Sequence, residues 1–186
     1  EEIATPSATN RMVGFPYTKL MVSNEQVDMA AAMLVTSAEW AESHQVALDR
    51  WVFPIAASSG EAPPISERWS LHDSALASSV RSTVESLSGR RCADASYVDL
   101  YSCFPSAVQV QARALGLDGE RPLTLTGGMR FSGGPWCGYA MHGFAATVAA
   151  LRNDPGALGL VSANGGAITK LVVTMLSTEP SDEFRY

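Results

Sequence analysis

The sequence is poor in charged residues and in cysteine, and it contains no long apolar run. Charged residues make up 17% of the 186 residues, below the usual quarter, and no basic block is present. A disordered tail and a long solvated coiled coil are therefore excluded, and we expect no nucleic-acid partner. The richest apolar stretch, residues 145–151, is far shorter than the ~20 residues of a membrane span.

The three cysteines, Cys92, Cys103 and Cys137, are odd in number and widely spaced. They form no CxxC motif and no metal-ligand pattern. We therefore expect no disulfide framework, no metal and a reducing, cytoplasmic location. The chain opens on Glu1 and Glu2, with no initiator methionine and no signal peptide. We expect that further sequence was removed upstream or belongs to another stretch of chain.

The first part of the chain allows two interpretations. Residues 24–46 are rich in Ala, Met and Glu, which predicts a helix capped by Ser23 or Asn24. The apolar run at residues 30–35 equally fits a buried strand that becomes a helix at Ser37, because short apolar runs do not distinguish the two.

Beyond residue 50 the hydrophobic period alternates between that of a strand and that of a helix. Pro54 places the first strand at a sheet edge or a bulge, and Gly89 and Gly116 end the first two helices. The order predicts an α/β protein with a mixed sheet. We predict strands at residues 51–56, 95–101, 123–126, 158–162 and 171–176, helices at residues 74–87, 105–115 and 135–152, and loops at residues 58–73, 127–134 and 164–166.

The helix predicted at residues 135–152 has no polar face. Its apolar residues are Trp136, Tyr139, Ala140, Met141, Phe144, Ala145, Ala146, Val148, Ala149 and Leu151. A helix that is apolar all round is buried all round, so we expect it to lie between two layers.

Four short sequence motifs, here called words, then point to a family. Residues 28–35 resemble "DGAAA" followed by apolar residues, and residues 99–105 resemble "NEAF" or, more closely, "HDCF". Residues 126–135 resemble "GG…GHP", and residues 161–167 resemble a "CxG" loop followed by glycines. In this order and spacing, residues 12–180 are similar to the C-terminal half of the thiolase superfamily, above all to actinobacterial acetyl-CoA acetyltransferase-like proteins.

The resemblance implies a layered thiolase-like fold, a mixed sheet with a buried central helix. Residues 1–46 would be the end of the N-terminal half and a connecting loop, and residues 47–186 the C-terminal domain. The family's nucleophilic cysteine lies in the N-terminal half, so the chain looks like a fragment or one subunit of a split enzyme. The expected partners are that half or a complementary chain, in a homo- or hetero-oligomer. Coenzyme A thioesters would be the substrate, with no permanently bound cofactor.

The departures from the family pattern affect its catalytic groups. The histidine of "GHP" falls on Gly134, and the family's asparagine or histidine that helps to hold a water falls on Tyr101. The second cysteine falls near Ser162 or Ala163. Most side chains that carry protons are therefore replaced, while a Gly-Gly-Pro helix entry can still direct backbone N–H groups at an anion.

Three residues are the catalytic candidates. Cys103 follows a strand at a helix N-terminus, which lowers the pKa of a thiol, although it equally fits a small core residue. His142 is either a hydrogen-bonded core histidine or a relocated acid–base group. Tyr101 is either a proton donor or a buried structural phenol.

The backbone amides of the glycine words are the candidates for binding a thioester. Each could equally be a turn or a close approach that needs no side chain. The substrate-binding candidates are Gly133, Gly134, Ser162, Asn164, Gly165 and Gly166.

Three hypotheses about function follow. The first is a thiolase-like acyltransferase that performs Claisen or retro-Claisen chemistry on coenzyme A thioesters. The second is a degenerate module that binds acyl-CoA or a partner without turnover. The third is an aldolase on the same fold that uses tyrosine in place of cysteine and histidine.

Overall fold

The computed structural model describes residues 2–117 and 120–181. The strands are β1 (Met12–Gly14), β2 (Tyr17–Thr18), β3 (Phe53–Glu61), β4 (Tyr97–Asp99), β5 (Leu158–Gly165) and β6 (Lys170–Ser177). The α-helices are α1 (Ala38–Ser43), α2 (Ala75–Ser88), α3 (Pro105–Leu115), α4 (Gly128–Phe131) and α5 (Tyr139–Arg152).

The main sheet has the strand order β3-β6-β5-β4. β6 pairs antiparallel with both β3 and β5, and β4 pairs parallel with β5. The predicted α/β class and mixed sheet are confirmed. β1 and β2 form a separate two-stranded ribbon.

β3 lies at the edge of this sheet, and its register shifts between Pro54 and Ala56. Proline has no N–H for the ladder, so an edge with an irregular register is where a strand tolerates it. The prediction for Pro54 is confirmed. The predicted loop begins too early, because residues 58–61 continue β3 by pairing with β6.

The two faces of the sheet carry separate apolar clusters, because successive side chains of a strand point to opposite faces. Leu160 and Val173 belong to the larger cluster, together with residues of α2 and α3. Val161 and Leu176 pack with Leu151 of α5 on the other face. The result is three layers: α2 with α3, the sheet, and α5.

The helices α2 and α3 follow their sequence signals. Ser74 caps α2 by accepting a hydrogen bond from the N–H of Ala77 at 3.1 Å, and Gly89 ends it at φ 66°. Pro105 opens α3, and Gly116 ends it at φ 70°. Both positive φ angles are favourable for glycine, so these stop signals are read directly from the sequence.

The helix predicted at residues 24–46 is wrong except at its end. Only α1 is helical, and the side chain of Ser37 caps it by accepting a hydrogen bond from the N–H of Trp40. Residues 22–37, here called the connecting segment, contain neither helix nor strand. Tertiary bonds replace helical ones: Ser23 donates its N–H to the carbonyl of Cys103, and Asn24 donates to that of Met129.

The strand predicted at residues 123–126 is also absent. The N–H groups of Leu125 and Thr126 donate to the carboxylate of Asp99 at 2.9 and 3.1 Å. Amides committed to a side chain cannot pair with a neighbouring strand, so this segment turns around Asp99 instead of joining the sheet.

The helix predicted from Pro135 begins later and is buried on one side only. Trp136 to Gly138 form a 3-10 turn, with Trp136 at φ 49°, before α5 starts. The loop predicted at residues 127–134 contains α4. Complete burial of α5 is wrong for this chain alone, because one stripe is buried while Met141 is 36% exposed. The buried stripe consists of Tyr139, Gly143, Thr147 and Leu151.

A cavity of about 780 Å³ lies beside the outer part of α5. Phe144 and Val148 line it from α5, Leu176 from the sheet, and residues 32–38 from the connecting segment and the start of α1. In the described part of the chain, the second layer that the sequence predicted over α5 is represented by this irregular segment, α1 and residues 46–52. Among the described residues, no helix is long and apolar enough to cross a membrane.

Gly159 allows α5 to approach β5 closely, and this contact gives a testable stability prediction. A Cβ at Gly159 would lie 2.4 Å from Cγ2 of Thr147 and 3.1 Å from Cδ1 of Leu151. We expect Gly159→Ala to destabilise the chain by about 1–3 kcal/mol, as overpacking does. The control is Gly14→Ala, because nothing lies within 4 Å of a Cβ there. Equal urea midpoints for the two variants would contradict the prediction.

Candidate functional site

Tyr101 lies just past the end of β4, on the loop that leads into α3. Its ring packs edge-on against Tyr139 of α5, with ring centroids 5.6 Å apart. Its hydroxyl donates to the carbonyl oxygen of Trp136 at 3.3 Å. The phenol therefore stands between the β4–α3 loop and the start of α5, partly open to solvent.

Two thiols lie near this phenol, and they alter its titration. Burial raises the pKa of Tyr101, and the negative charge of ionised Cys103 and Cys137 raises it further. A phenol with a raised pKa stays protonated at neutral pH. Tyr101 can therefore donate a hydrogen bond or a proton, and it can act as a base only after the phenol has lost its proton.

Cys103 does not have the lowered pKa that its place before a helix predicts. Burial raises the pKa of its thiol, and backbone hydrogen bonds at Phe104 and Cys103 offset this only in part. Desolvation of the thiolate outweighs the helix terminus here. The expectation of an activated thiolate at Cys103 is corrected: the thiol is protonated at neutral pH.

A buried carboxylate holds the loop behind Tyr101. Asp99 is fully buried, and its Oδ2 accepts from the hydroxyls of Thr124 and Thr126 as well as from the two backbone amides described above. Its Oδ1 accepts from the hydroxyl of Tyr139 at 2.9 Å. Five donors thus satisfy one carboxylate, which joins β4, the loop before α4 and α5.

Tyr139 is part of this support and is not a proton carrier. Burial raises the pKa of its phenol to about 12, and the charge of Asp99 contributes to the shift. The phenol therefore remains protonated and donates to Asp99 throughout the neutral range. Because its ring touches Tyr101, it fixes one wall of the candidate site.

The Gly133–Gly134 pair lies under the connecting segment. The N–H of Gly134 donates to the carbonyl of Asn24 at 2.7 Å, so this amide is already satisfied within the chain. A Cβ at Gly133 would lie 2.7 Å from Sδ of Met29, and one at Gly134 would lie 2.7 Å from Cε of Met129. Close packing therefore explains both glycines, which the sequence assigned to thioester binding.

The residues predicted on the last loop fall into two groups. Ser162 is 1% exposed, and its hydroxyl bonds only to Tyr101 and Gln111 among the described residues. Asn164 and Gly165 are the last residues of β5, and Gly166 begins the turn to β6 at φ 58°. The side-chain amide nitrogen of Asn164, Nδ2, is buried without a hydrogen-bond partner in the described chain.

His142 is half-buried on α5, beside the buried stripe. In the described part of the chain it has no hydrogen-bond partner, so the interpretation as a bonded core histidine is wrong. No hydrogen bond connects it to Tyr101 or Cys103 among those residues, and a relocated acid–base role for it stays a prediction.

Two supporting residues escaped the sequence reasoning. Gln111 is fully buried on α3, where it lies one turn after the buried Ala107. Asp99 is the last residue of β4, and its carboxylate accepts from the hydroxyls of Thr124 and Thr126. A polar residue on an apolar helix face, and a charge at the end of a buried strand, were the available signals.

The comparisons with known proteins rest on structure. No protein-family model matches the sequence, and no curated protein matches it. Among solved structures, a monomeric SCP2-thiolase-like protein type 1 from Mycobacterium smegmatis matches 100% of this chain, with 35% sequence identity and a TM-score of 0.87. This chain has a thiolase-like fold. It spans 41% of the length of that structure's chain.

The fold expected from the four sequence words is thereby confirmed. The narrower likeness to acetyl-CoA acetyltransferase-like proteins of actinobacteria stays a prediction. So does the division into residues 1–46 and 47–186, of which residues 1, 118–119 and 182–186 lie outside the described part of the chain.

The three thiols of this thiolase-like chain are free, and they differ in exposure, which predicts an order of reactivity. Cys137 is exposed, Cys103 is partly buried, and Cys92 is 0% exposed with its pKa raised to about 12 by burial and by Glu85. We expect Cys137 to react first with iodoacetamide, Cys103 more slowly, and Cys92 only after unfolding. Peptide mass spectrometry at intervals measures the order, and Cys137→Ser removes the fast phase. Early labelling of Cys92 in native protein would contradict it.

Proposed function

We propose that the chain is the C-terminal half of a thiolase-like protein that processes acyl-CoA by Claisen or retro-Claisen chemistry. One observation supports the proposal: the chain has a thiolase-like fold, with 35% identity over its whole length to a solved SCP2-thiolase-like structure. Tyr101 and Cys103 lie between β4 and α3, where the resemblance leads us to expect a catalytic segment. In this proposal the chain supplies proton-donating and binding groups, and the acyl-carrying cysteine comes from the other half.

The site residues have separate roles in the proposal. Tyr101 donates a hydrogen bond to the negative oxygen that develops on the thioester, in place of its bond to the carbonyl of Trp136, and its raised pKa keeps the phenol protonated for this role. The side-chain amide of Asn164 offers a buried N–H that has no protein acceptor among the described residues. Cys103 and, on α5, His142 are candidates for proton transfer. Gly165 and Gly166 are further proposed substrate contacts, whereas the Gly134 amide and the Ser162 hydroxyl are already bonded within the chain.

The proposed partner is an N-terminal thiolase half, on this polypeptide or another, in a cytoplasmic homo- or hetero-oligomer. The cavity beside α5 and the exposed Met141 support it, because a lone domain seldom leaves such an apolar face uncovered. The match to 41% of a longer structure supports it too. Light scattering of the isolated chain at micromolar concentration tests it. A stable monomer with its apolar face open would count against the partner.

Binding of a coenzyme A thioester is the direct test of the function. Acetoacetyl-CoA is titrated calorimetrically into the longest natural protein that contains this chain. We expect saturable binding that weakens about tenfold in Tyr101→Phe, the loss of one hydrogen bond. Tyr97→Phe is the matched control, since its hydroxyl bonds to Asp154 at 3.1 Å outside the site. Absence of binding by acetoacetyl-CoA, acetyl-CoA and free CoA would refute the proposal.

A thiolase-fold aldolase is the second candidate, and Tyr101 favours it. A base that the other half must supply removes the α-proton of the thioester, and the enolate carbon then forms the C–C bond with the aldehyde carbon. The aldehyde oxygen becomes an alkoxide, which takes the proton of the Tyr101 phenol. The phenolate regains a proton from the protonated base through solvent. Aldol condensation of propanoyl-CoA with an aldehyde, followed by mass spectrometry, tests this activity. Product from wild type and none from Tyr101→Phe would support it, whereas binding without any turnover would indicate a degenerate module.

A further inference from the structure

Tyr101 lies beyond the regular pairing of β4, so the sheet does not hold its backbone. The parallel ladder between β4 and β5 ends at Asp99 opposite Val161. Two residues later, the N–H of Tyr101 donates to the side-chain oxygen of Ser162 at 3.0 Å. The buried hydroxyl of Ser162 therefore accepts the hydrogen bond that a strand carbonyl would accept within the ladder.

The bonds from Ser162 lead back to the same residue. The Ser162 hydroxyl donates to Oε1 of Gln111 at 2.7 Å. Nε2 of Gln111 then donates to the carbonyl of Tyr101 at 3.0 Å and to that of Ala107 at 2.9 Å. Tyr101, Ser162 and Gln111 form a closed ring of hydrogen bonds, here called the Tyr101 clamp.

The polar side-chain atoms that Gln111 and Ser162 contribute to the clamp all have hydrogen-bond partners, and both side chains are buried. Gln111 is 0% exposed and Ser162 is 1% exposed. The two donating hydrogens of the Gln111 amide are both used, and the Ser162 hydroxyl donates once and accepts once. Such a network fixes one arrangement, because any shift of one member leaves a buried polar group unpaired.

We propose that Gln111 and Ser162 are positioning residues that fix the backbone of Tyr101 and thereby place its phenol in the site. This inference rests on the proposed function for its meaning in catalysis, but not for its geometry. It also changes the role of Ser162, whose hydroxyl faces Tyr101 and Gln111. Ser162 acts through Tyr101 and does not need to touch the substrate.

Matched substitutions at Ser162 test the clamp. Ser162→Thr and Ser162→Val add the same bulk and differ only in the hydroxyl. The probe is the Tyr Cζ carbon, observed by NMR in the full-length protein and assigned to Tyr101 by Tyr101→Phe. The groups that face this phenol are Cys103, Cys137 and Tyr139.

We expect Ser162→Val to shift the Tyr101 resonance and its titration midpoint, while Ser162→Thr keeps both near wild type. The Tyr97 signal serves as the internal control, because its hydroxyl bonds to Asp154 outside the site. If Ser162→Val does not fold, Gln111→Met gives the same comparison with the other half of the ring broken. An unchanged Tyr101 signal in a folded Ser162→Val or Gln111→Met protein would overturn the proposal.

Turnover separates this inference from the proposed function. If acyl-CoA is processed, Ser162→Val should lower kcat more than it changes KM, and Ser162→Thr should restore kcat. If Ser162→Val shifts the Tyr101 signal but the protein binds no coenzyme A thioester, the result supports the clamp and refutes the proposed function. A Ser162→Val variant with a wild-type Tyr101 signal and wild-type kcat would refute the clamp and leave the function standing.

Discussion

Replacing Asp99 with alanine is expected to destabilise the chain by about 3 kcal/mol or more, taking at least about 1 kcal/mol for each of three donors that lose this buried acceptor. The amides of Leu125 and Thr126 and the hydroxyl of Tyr139 lose their acceptor together. The threonine hydroxyls can rotate to other partners, but the amides cannot. Urea unfolding followed by circular dichroism measures the loss, and the variant should also release the loop before α4.

Asp94→Ala is the matched control for this substitution. Asp94 forms an ion pair with Arg91 at 2.6 Å, but its side chain is 51% exposed. An exposed pair of this kind contributes little, so its urea midpoint should stay close to wild type. If the two alanine variants unfolded at the same urea concentration, Asp99 would not be the support described here.

Thiolysis of acetoacetyl-CoA is expected to be absent or slower than ordinary thiolase rates by a factor of about 10²–10³ or more, because one oxyanion donor alone is worth that much. Gly134 stands at the position where the resemblance places a histidine, and no cysteine stands near Ser162. In thiolysis the acyl-carrying cysteine of the other half would attack the ketone carbon, and the leaving acetyl-CoA enolate would take a proton. The thiol of coenzyme A would then take the acetyl group from that cysteine as a thioester. The described site lacks the usual imidazole and thiol for these transfers. The assay follows loss of acetoacetyl-CoA absorbance with the full-length protein.

Restoring the histidine should not restore this activity. In Gly134→His the new Cβ would meet Cε of Met129 at 2.7 Å and Cβ of Ser23 at 3.1 Å, so the connecting segment must move. We expect Gly134→His to remain inactive and to unfold at lower urea than wild type. Turnover near the general enzyme scale of ~10 s⁻¹, by wild type or by Gly134→His, would contradict this account.

Local signals in the sequence predicted the helices of the outer layer and the final hairpin. Ser74 with Gly89, and Pro105 with Gly116, mark helix ends through hydrogen bonds and backbone angles that involve only neighbouring residues. Pro54 predicted an edge strand because a missing N–H is a property of the residue itself. The four family words added the thiolase-like fold, which no periodicity could have supplied.

Long-range contacts decided the elements that the sequence misassigned. The connecting segment has helix-forming residues, but backbone bonds to Cys103, Met129 and Gly134 hold it extended. Residues 123–126 have strand-forming residues, but a carboxylate 25 residues away from Thr124 takes their amides. In both places, bonds to distant partners outweigh a local preference worth less than about 1 kcal/mol per residue.

The candidate site shows the same division. The sequence by itself determined that Cys103 and Gly134 would lie on loops and that Ser162 would lie in a strand, with Tyr101 near the end of another, because the family-like words and their spacing are linear information. Only the tertiary structure decided what each residue does there. Burial raised the thiol pKa that a helix terminus would lower, Asn24 took the amide of Gly134, and Gln111 joined Ser162 to Tyr101. Desolvation and hydrogen-bond competition depend on neighbours that sequence order does not name.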